Sequence, residues 1–183
     1  PFCEYFVIPY YFWFVFLAGI HIYTLLFDVP AFKKLMYFII ITYTITTIIY
    51  IVYPNKQELR PTEFLRDNIF VDIVKKLYNF DTNTNVCPSL HVIGSFAVLF
   101  TTWQCKPLLK PSLQIPIVIS TVLISISTVF LKQHSAVDII AGLAVCAVAY
   151  PFAYILPSRS AEAKRKKEKI KKDITTGNQQ PET

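Results

Sequence analysis

Five mostly apolar stretches alternate with shorter polar segments along the chain, and they cover residues 6–27, 35–53, 88–103, 113–131 and 134–156. A helix crosses about 30 Å of hydrocarbon with about 20 apolar residues, because each residue adds about 1.5 Å of rise. The third stretch is short for a helix that crosses the membrane. β-branched residues are frequent in the second and fourth stretches, but a lone strand in lipid leaves its backbone without hydrogen bonds. The pattern therefore predicts an all-α integral membrane helical bundle with five membrane helices.

The polar segment between residues 54 and 87 contains apolar residues at helical spacing among charged ones. They are Phe64, Leu65, Ile69, Ile73, Val74 and Leu77. This spacing predicts an additional amphipathic helix that lies in the membrane interface. Two roles are open for it, because it either lines the entrance for a lipid head group or only caps the bundle.

The composition favours a membrane protein. Of the 183 residues, 54% are hydrophobic and 15% aromatic, which disfavours a water-soluble domain with an ordinary polar surface. The four cysteines form no C-x-x-C pair, so neither structural zinc nor a disulfide framework is predicted. The expected environment is the membrane, and no nucleic acid partner is expected. The oligomeric state is left open.

The basic residues predict the orientation of the helices, since short cytoplasmic loops are enriched in Lys and Arg. With five alternating helices, three basic clusters fall on one side, which is predicted to be cytoplasmic. They are Lys33 with Lys34, Lys106 with Lys110, and the segment 164–172. The loop 54–87, whose charges balance, lies on the opposite side. The chain is therefore predicted to be a multi-pass protein of the cell membrane.

The chain divides into a membrane catalytic domain, residues 1–156, and a basic cytoplasmic tail, residues 157–183. The tail is polar and charged, so it is expected to be helical at most in its basic part. It either binds anionic lipid or only sets the topology. Pro1 opens directly into an apolar run without a basic region, which argues against a signal peptide and for a missing N-terminal piece.

His134 and Asp138 are candidates for chemistry at the start of the last apolar stretch. A spacing of four residues places two side chains on one face of a helix. The carboxylate would fix the tautomer of the imidazole and stabilise the imidazolium after the other ring nitrogen has attacked an electrophile. Ionisable residues at the end of a membrane helix indicate function, although a purely structural pair is the alternative.

The motif "PSLH", residues 88–91, places a second histidine at the start of another apolar stretch. Pro88 suits the first turn of a helix, where its missing N–H would have had no partner. The unpaired amides of that turn, together with the Ser89 hydroxyl, favour binding of an anion. His91 would then be placed for general acid–base catalysis.

Three basic residues are predicted near these motifs. Lys56 and Arg60 lie in "NKQELRP" on the same side of the membrane, and Lys132 lies two residues before His134. Cations and helix-start amides stabilise charge that develops on a transferring phosphoryl group. The combination with two histidines predicts a pocket for a phosphate ester on the extracytoplasmic side.

These motifs resemble the type 2 phosphatidic acid phosphatase superfamily of membrane lipid phosphatases and phosphotransferases. Its signatures are a Lys followed seven residues later by Arg-Pro, then Pro-Ser-Gly-His, then Ser-Arg followed by His and, four residues later, Asp. The matching positions here are Arg60-Pro61, residues 88–91, Ser127, His134 and Asp138. Members of the family usually have six membrane helices, so the resemblance implies that the first helix is missing.

The chain also departs from the family pattern. The family's Lys is Tyr53 here, Thr128 replaces the Arg of the third signature, and Leu90 replaces the Gly of the second. Lys132 could supply the missing charge. These features are similar to the branch that includes inositol-phosphoceramide-synthase-like transferases.

The resemblance implies a metal-independent enzyme without a cofactor, which hydrolyses a lipid phosphate or diphosphate monoester through a phosphohistidine. His134 would be the nucleophile, Asp138 would hold its ring, and His91 would protonate the leaving oxygen and then activate water. If an alcohol replaces water, the enzyme is a phosphotransferase. The residues expected to bind the substrate phosphate are Lys56, Arg60, Ser89, Leu90, Ser127 and Lys132.

Two other interpretations are open. Histidine and carboxylate are zinc ligands, so His91, His134 and Asp138 would suit a metal site, although nearby basic residues would repel a cation. The second interpretation is a non-catalytic membrane protein that binds a lipid phosphate. The sequence does not select among phosphatidic acid, phosphatidylglycerophosphate and polyprenyl diphosphate as the lipid.

Overall fold

The computed structural model describes residues 1–158 and 167–168. Six α-helices follow one another within residues 1–158, so the predicted all-α bundle is confirmed for this part of the chain. They are α1 (Val7–Phe27), α2 (Val29–Val52), α3 (Ile69–Phe80), α4 (Leu90–Thr102), α5 (Pro111–Phe130) and α6 (Ala136–Tyr150). Short 3-10 helices occupy Glu4–Phe6 and Lys106–Leu108, and a π-helical turn, Pro151–Ile155, extends α6.

Four helical segments of the described chain are long and apolar enough to cross a membrane: Glu4–Phe27, Val29–Val52, Pro111–Phe130 and Ala136–Ser158. The remaining predicted span is α4, which has 13 residues and is therefore about 20 Å long. Helix α4 contacts α1, α2, α5 and α6, and most of its side chains are buried. Because α4 is enclosed by protein, its length does not have to match the thickness of the hydrocarbon.

Helix α2 begins at Val29, six residues before the predicted start. The Asp28 side chain accepts a hydrogen bond from the Ala31 amide at 3.1 Å, and Pro30 occupies the first turn. A capping carboxylate and a first-turn proline both favour a helix start. Lys33 and Lys34 were predicted to lie in a connection, but they lie within the first two turns of this helix.

The predicted amphipathic helix is α3, and its buried side chains are Val71, Val74 and Leu77. This face packs against the start of α1 and the end of α5 through a cluster that includes Tyr10 and Leu131. The prediction was wrong for the first part of the pattern. Phe64 and Leu65 precede the helix, and Leu65 and Ile69 are exposed.

Hydrogen bonds fix the two ends of the bundle. At one end, Lys34 Nζ donates to Gln104 Oε1 at 2.8 Å and to Ser158 Oγ at 2.7 Å, which joins α2 to the ends of α4 and α6. At the other end, the Tyr50 hydroxyl donates to the Pro88 carbonyl at 2.7 Å. The two histidine motifs therefore lie at the opposite end from Lys34, as the charge pattern predicts.

The basic tail assigned to residues 157–183 falls largely outside the described residues. The same is true of its basic segment, 164–172, apart from residues 167–168.

Candidate active site

The rings of His91 and His134 lie beside each other at one end of the bundle, with centroids 5.8 Å apart and planes inclined by 63°. Both rings line a cavity of about 100 Å³. The rest of the lining is Tyr50, Asp81, Thr82, Thr84, Asn85, Val86, Leu90 and Gln133. Two distant segments of the chain therefore place two imidazoles on one small cavity that is lined mainly by residues with polar groups.

His134 lies in the connection between α5 and α6. The amides of Gln133 and His134 donate to the Thr128 carbonyl at 2.9 and 3.0 Å, so the chain folds back over the end of α5. Lys132 adopts a left-handed backbone conformation, with φ of 55°, at this reversal. His134 was predicted to be the first residue of the last helix, but α6 begins only at Ala136. The side chain of His134 is 10% exposed.

Asp138 approaches His134 across the start of α6. Its Oδ2 lies 3.5 Å from His134 Nδ1 and accepts a hydrogen bond from the Ser135 amide at 2.7 Å. The Ser135 hydroxyl accepts from the Asp138 amide in return, which completes a capping box. The distance of 3.5 Å is too long for a strong hydrogen bond, and His134 Nδ1 has no hydrogen-bond partner in the described chain. The capping box nevertheless holds the carboxylate beside this nitrogen.

His91 is the second residue of α4, and Ser89 is the N-cap of that helix. The Ser89 hydroxyl accepts a long hydrogen bond, 3.5 Å, from the Val92 amide, and the Ser89 amide donates to the Asp138 carbonyl at 3.1 Å. A Cβ added to Gly142 would lie 3.1 Å from the Ser89 carbonyl, so this glycine permits the close approach of α6 to α4. These contacts hold the start of α4 against the start of α6, so that the two histidines lie at the same end of the bundle.

Two aromatic rings of α1 cover the other side of His91. The ring centroids of Tyr10 and Trp13 lie 4.4 and 4.6 Å from that of His91. Trp13 fits there because α4 has a glycine at position 94, where a Cβ would lie only 2.8 Å from the indole. Helix α1 therefore restricts the orientation of the His91 ring, a role that its sequence did not indicate.

Substitution of Gly94 by Ala is expected to lower both stability and activity. The added methyl group would push Trp13 against His91, and overpacking of this kind costs about 1–3 kcal/mol. Thermal unfolding measures the first effect, and turnover of a lipid phosphate, the substrate class expected from the sequence, measures the second. Gly19→Ala is the matched control, since no described atom lies within 4 Å of a Cβ there. Equal behaviour of the two variants would contradict this packing.

The three predicted cations do not line the cavity as the structure describes it. Lys56 is exposed and pairs with Glu58 at 2.7 Å. Lys132 is half-buried in the connection before His134. Arg60 lies behind the cavity wall, where its guanidinium donates to the Tyr78 and Asp81 carbonyls at 3.0 and 2.6 Å.

The other predicted phosphate-binding residues lie at different depths. Leu90 lines the cavity. Ser89 is fully buried and caps α4, as described above. Ser127 is also fully buried, and its hydroxyl donates to the Ile124 carbonyl at 2.6 Å inside α5. The binding roles assigned to these residues from the sequence stay predictions.

Asp81 is a cavity residue that the sequence analysis did not single out. Its Oδ2 accepts a hydrogen bond from the Tyr10 hydroxyl at 2.9 Å and a weaker one from Gln133 Nε2 at 3.4 Å. Arg60 donates to the Gln133 side-chain oxygen at 2.5 Å. The available signal was the polar run "NFDTNTNV", residues 79–86, which comes directly before Cys87 and the "PSLH" motif.

Asn55 was also missed, and it shapes the segment that precedes α4. Its side-chain oxygen accepts from the Val86 and Cys87 amides at 2.9 Å each, and its side-chain nitrogen donates to the Cys87 carbonyl at 2.9 Å. One asparagine thus provides hydrogen-bond partners for two backbone amides and one carbonyl directly before the "PSLH" motif.

Two groups near the cavity, Cys87 and Tyr78, lie outside the membrane helices and have shifted pKa values. Burial, with a further contribution from the Asp138 carboxylate, raises the pKa of the Cys87 thiol to about 11, so the thiol is protonated at neutral pH and is a poor nucleophile. Burial also raises the pKa of Tyr78 to about 12. The Tyr78 hydroxyl therefore remains a donor and bonds the Leu131 carbonyl at 2.6 Å. Cys87 does not compete with His134 for an electrophile.

Within the described residues, His, Cys, Asp and Glu side chains form no group of three or more that could hold a metal ion. His91, His134 and Asp138 are thus not arranged as a common ligand set.

Comparison with known proteins gives one family. The sequence model of the PAP2 superfamily matches residues 31–162, which is more than half of the chain. No curated protein and no solved structure matches it.

Proposed function

Because the chain belongs to the PAP2 superfamily, we propose that it is a membrane phosphatase that hydrolyses a lipid phosphate or diphosphate monoester through a phosphohistidine. Membership supports phosphatase or phosphotransferase chemistry in general. The observation that carries the finer proposal is the pair of imidazoles, His91 and His134, on one polar cavity at the end of an apolar bundle. The substrate's tails would remain in the membrane.

In the first step of the proposed reaction, His134 attacks phosphorus with Nε2, since Nδ1 faces Asp138. A P–N bond forms and the P–O bond to the leaving group breaks. Protonated His91 gives its proton to the leaving oxygen. The Asp138 carboxylate stabilises the positive charge that the His134 ring acquires.

In the second step, neutral His91 accepts a proton from water as the water oxygen attacks phosphorus. The P–N bond breaks, its electron pair returns to the His134 ring, and phosphate leaves. His134 binds the phosphoryl group throughout, while His91 acts first as the acid and then as the base. Such a sequence requires both rings within reach of one phosphorus atom, which fits their centroid separation of 5.8 Å.

The charge that develops on phosphorus would be stabilised by donors near the cavity. Lys132, two residues before His134, is the proposed cation for this role. Arg60 is proposed to act at one remove, because its guanidinium holds the Gln133 side chain and the Asp81 carbonyl. Lys56 would have to exchange its partner Glu58 for the substrate.

Phosphoryl transfer to an alcohol is the second candidate, and it corresponds to the inositol-phosphoceramide-synthase-like branch. The observation that favours it is the cavity lining, which carries the hydroxyl, amide and carboxylate groups of Thr82, Thr84, Asn85 and Asp81. Attack by water alone does not need so many polar groups. The proposed place of the site is the extracytoplasmic side, opposite the basic clusters.

The purified protein is expected to release phosphate from at least one labelled lipid in a panel of phosphatidic acid, phosphatidylglycerophosphate and polyprenyl diphosphate. Turnover should be unchanged by a chelator, since the proposed steps use no metal. Loss of turnover with the chelator and recovery with zinc would instead support a metal site. Tight binding of a panel member without product over hours would support a non-catalytic binding protein.

A further inference from the structure

The carboxylate of Asp81 stands in the cavity together with the two histidines. An ionised carboxylate accepts hydrogen bonds and donates none, and the oxygens of an ionised phosphate also accept only. The two groups therefore repel each other and share no hydrogen bond. Asp81 is unsuited to bind the phosphoryl group, but it is suited to a ligand that donates hydrogen bonds.

The carboxylate is oriented by buried groups. Tyr10, which is 1% exposed, donates its hydroxyl to Oδ2 at 2.9 Å, and Gln133 supplies a second, longer contact of 3.4 Å to the same oxygen. Both side-chain hydrogen bonds of the described residues to this carboxylate go to Oδ2, and none goes to Oδ1. One carboxylate oxygen is thus fixed by protein, and the other is available to a ligand.

The same network connects Asp81 to the chemistry. The ring of Tyr10 lies 4.4 Å from the ring of His91, which is the proposed acid and base. Gln133 precedes His134, the proposed nucleophile, and Arg60 holds the Gln133 side chain. A ligand bound to Asp81 would therefore lie next to the phosphoryl group that His134 carries.

The remaining polar lining suits a hydroxyl-bearing group. Thr82 and Thr84 contribute hydroxyls, and Asn85 contributes an amide. Lys and Arg side chains are absent from the lining as described, so the lining offers no counter-ion to a phosphate group carried by the acceptor. Tyr50 is the only Phe, Tyr or Trp in the described lining, and a single such ring does not form an aromatic cage for a quaternary ammonium group.

We propose that Asp81, held by Tyr10 and Gln133, binds a second hydroxyl of a polyol whose first hydroxyl accepts the phosphoryl group from His134. This inference rests on the proposed phosphohistidine and specifies its acceptor. In the step concerned, the polyol oxygen forms a bond to phosphorus and the P–N bond breaks. The hydroxyl proton passes to neutral His91, and the electron pair of the broken bond returns to His134. Asp81 keeps its charge throughout.

The test measures how the labelled phosphoryl group is divided between water and an alcohol. The full chain is supplied with the labelled lipid phosphate that it turns over, and with glycerol, 1-propanol or choline at equal concentration. Phosphohistidine is trapped in parallel. The ratio of transferred to free phosphate counts products of one intermediate, so it does not depend on the amount of active enzyme. The wild type should favour glycerol over 1-propanol.

Asp81→Asn should reduce transfer to glycerol, relative to hydrolysis, by about tenfold, and leave the propanol ratio much less affected, because a charged hydrogen bond to the second hydroxyl is lost. Tyr10→Phe keeps the carboxylate but removes the donor to Oδ2, and a smaller loss in the same ratio is expected. Asp72→Asn is the matched control, since Asp72 is exposed on α3 and pairs with Lys75 at 3.4 Å. Its ratios should equal those of the wild type.

Unchanged glycerol ratios in both Asp81→Asn and Tyr10→Phe would overturn the proposal. So would choline replacing glycerol as the favoured acceptor, or a folded Asp81→Asn variant that forms no phosphohistidine, because Asp81 would then act in the first step. Absence of phosphohistidine from the wild type itself marks failure of the proposed function. The two failures are therefore separate observations.

Discussion

His134→Ala is expected to reduce turnover of every lipid phosphate to the uncatalysed background and to remove the labelled phosphoenzyme. The variant keeps the capping box of α6, because the side chains and backbone amides of Ser135 and Asp138 form that box. The His134 side chain takes no part in it. The helix start should therefore remain folded while the nucleophile is missing. The expected loss of turnover therefore comes from the missing nucleophile and not from unfolding, because the His134 side chain is the group that bonds to phosphorus.

The control for this variant is His21→Ala. His21 lies in α1, where Nδ1 is 2.7 Å from the Leu17 carbonyl, and it is absent from the described lining of the cavity. Its replacement should leave turnover nearly unchanged. Substantial turnover by a folded His134→Ala protein, judged by its thermal unfolding, would contradict the assignment of the nucleophile.

His91→Gln is expected to lower turnover of a lipid phosphate by about 10²- to 10⁴-fold, which is the usual contribution of a general acid or base. Gln fills part of the space beside Tyr10 and Trp13 but cannot transfer a proton. The first step loses the acid that protonates the leaving oxygen. The second step loses the base that activates water.

The leaving group separates these two losses. With p-nitrophenyl phosphate the leaving oxygen needs no proton, so phosphohistidine formation should be much less impaired, and the intermediate should accumulate in the variant. A stopped-flow burst of p-nitrophenolate with slow phosphate release is the expected signature. An equal loss for both substrates, without accumulation, would assign His91 a structural role.

The lengths of the apolar stretches were sufficient to predict the helical bundle, but they predicted the ends of the helices less reliably. At the start of α2, the charged pair Lys33 and Lys34 suggested a connection. The cap from Asp28 outweighs that signal, because the long side chains reach polar partners such as Gln104 from within the helix. Local capping chemistry, and not hydropathy, decides this boundary.

For the site, sequence spacing placed the two histidines correctly relative to the bundle but did not predict how they are held. The pair of His134 and Asp138 looked like one face of a helix, and the structure forms it across a helix start instead. The cations illustrate a second limit. Lys56 and Arg60 lie four residues apart, yet Lys56 is exposed and Arg60 lies behind the cavity wall.

Asp81 could not be assigned from its own neighbourhood in the sequence. Its partners Tyr10 and Gln133 lie 71 and 52 residues away, and the contact exists only because α3 and α1 fold over the end of α5. A single sequence records no such pairing. The polar run before α4 marks a loop, but only the fold shows which member of that loop faces the histidines.

The bond between Tyr50 and Pro88 sets the depth of the cavity. It places the start of α4 level with a position two residues before the end of α2. Beyond that level, Ile51, Val52 and Tyr53 are more than 70% exposed, and such apolar side chains belong in contact with lipid. We therefore expect the cavity to open close to the lipid head groups and not far above the membrane surface. The proposed lipid substrate would then reach the site by lateral diffusion within its leaflet, without extraction of its acyl chains into water.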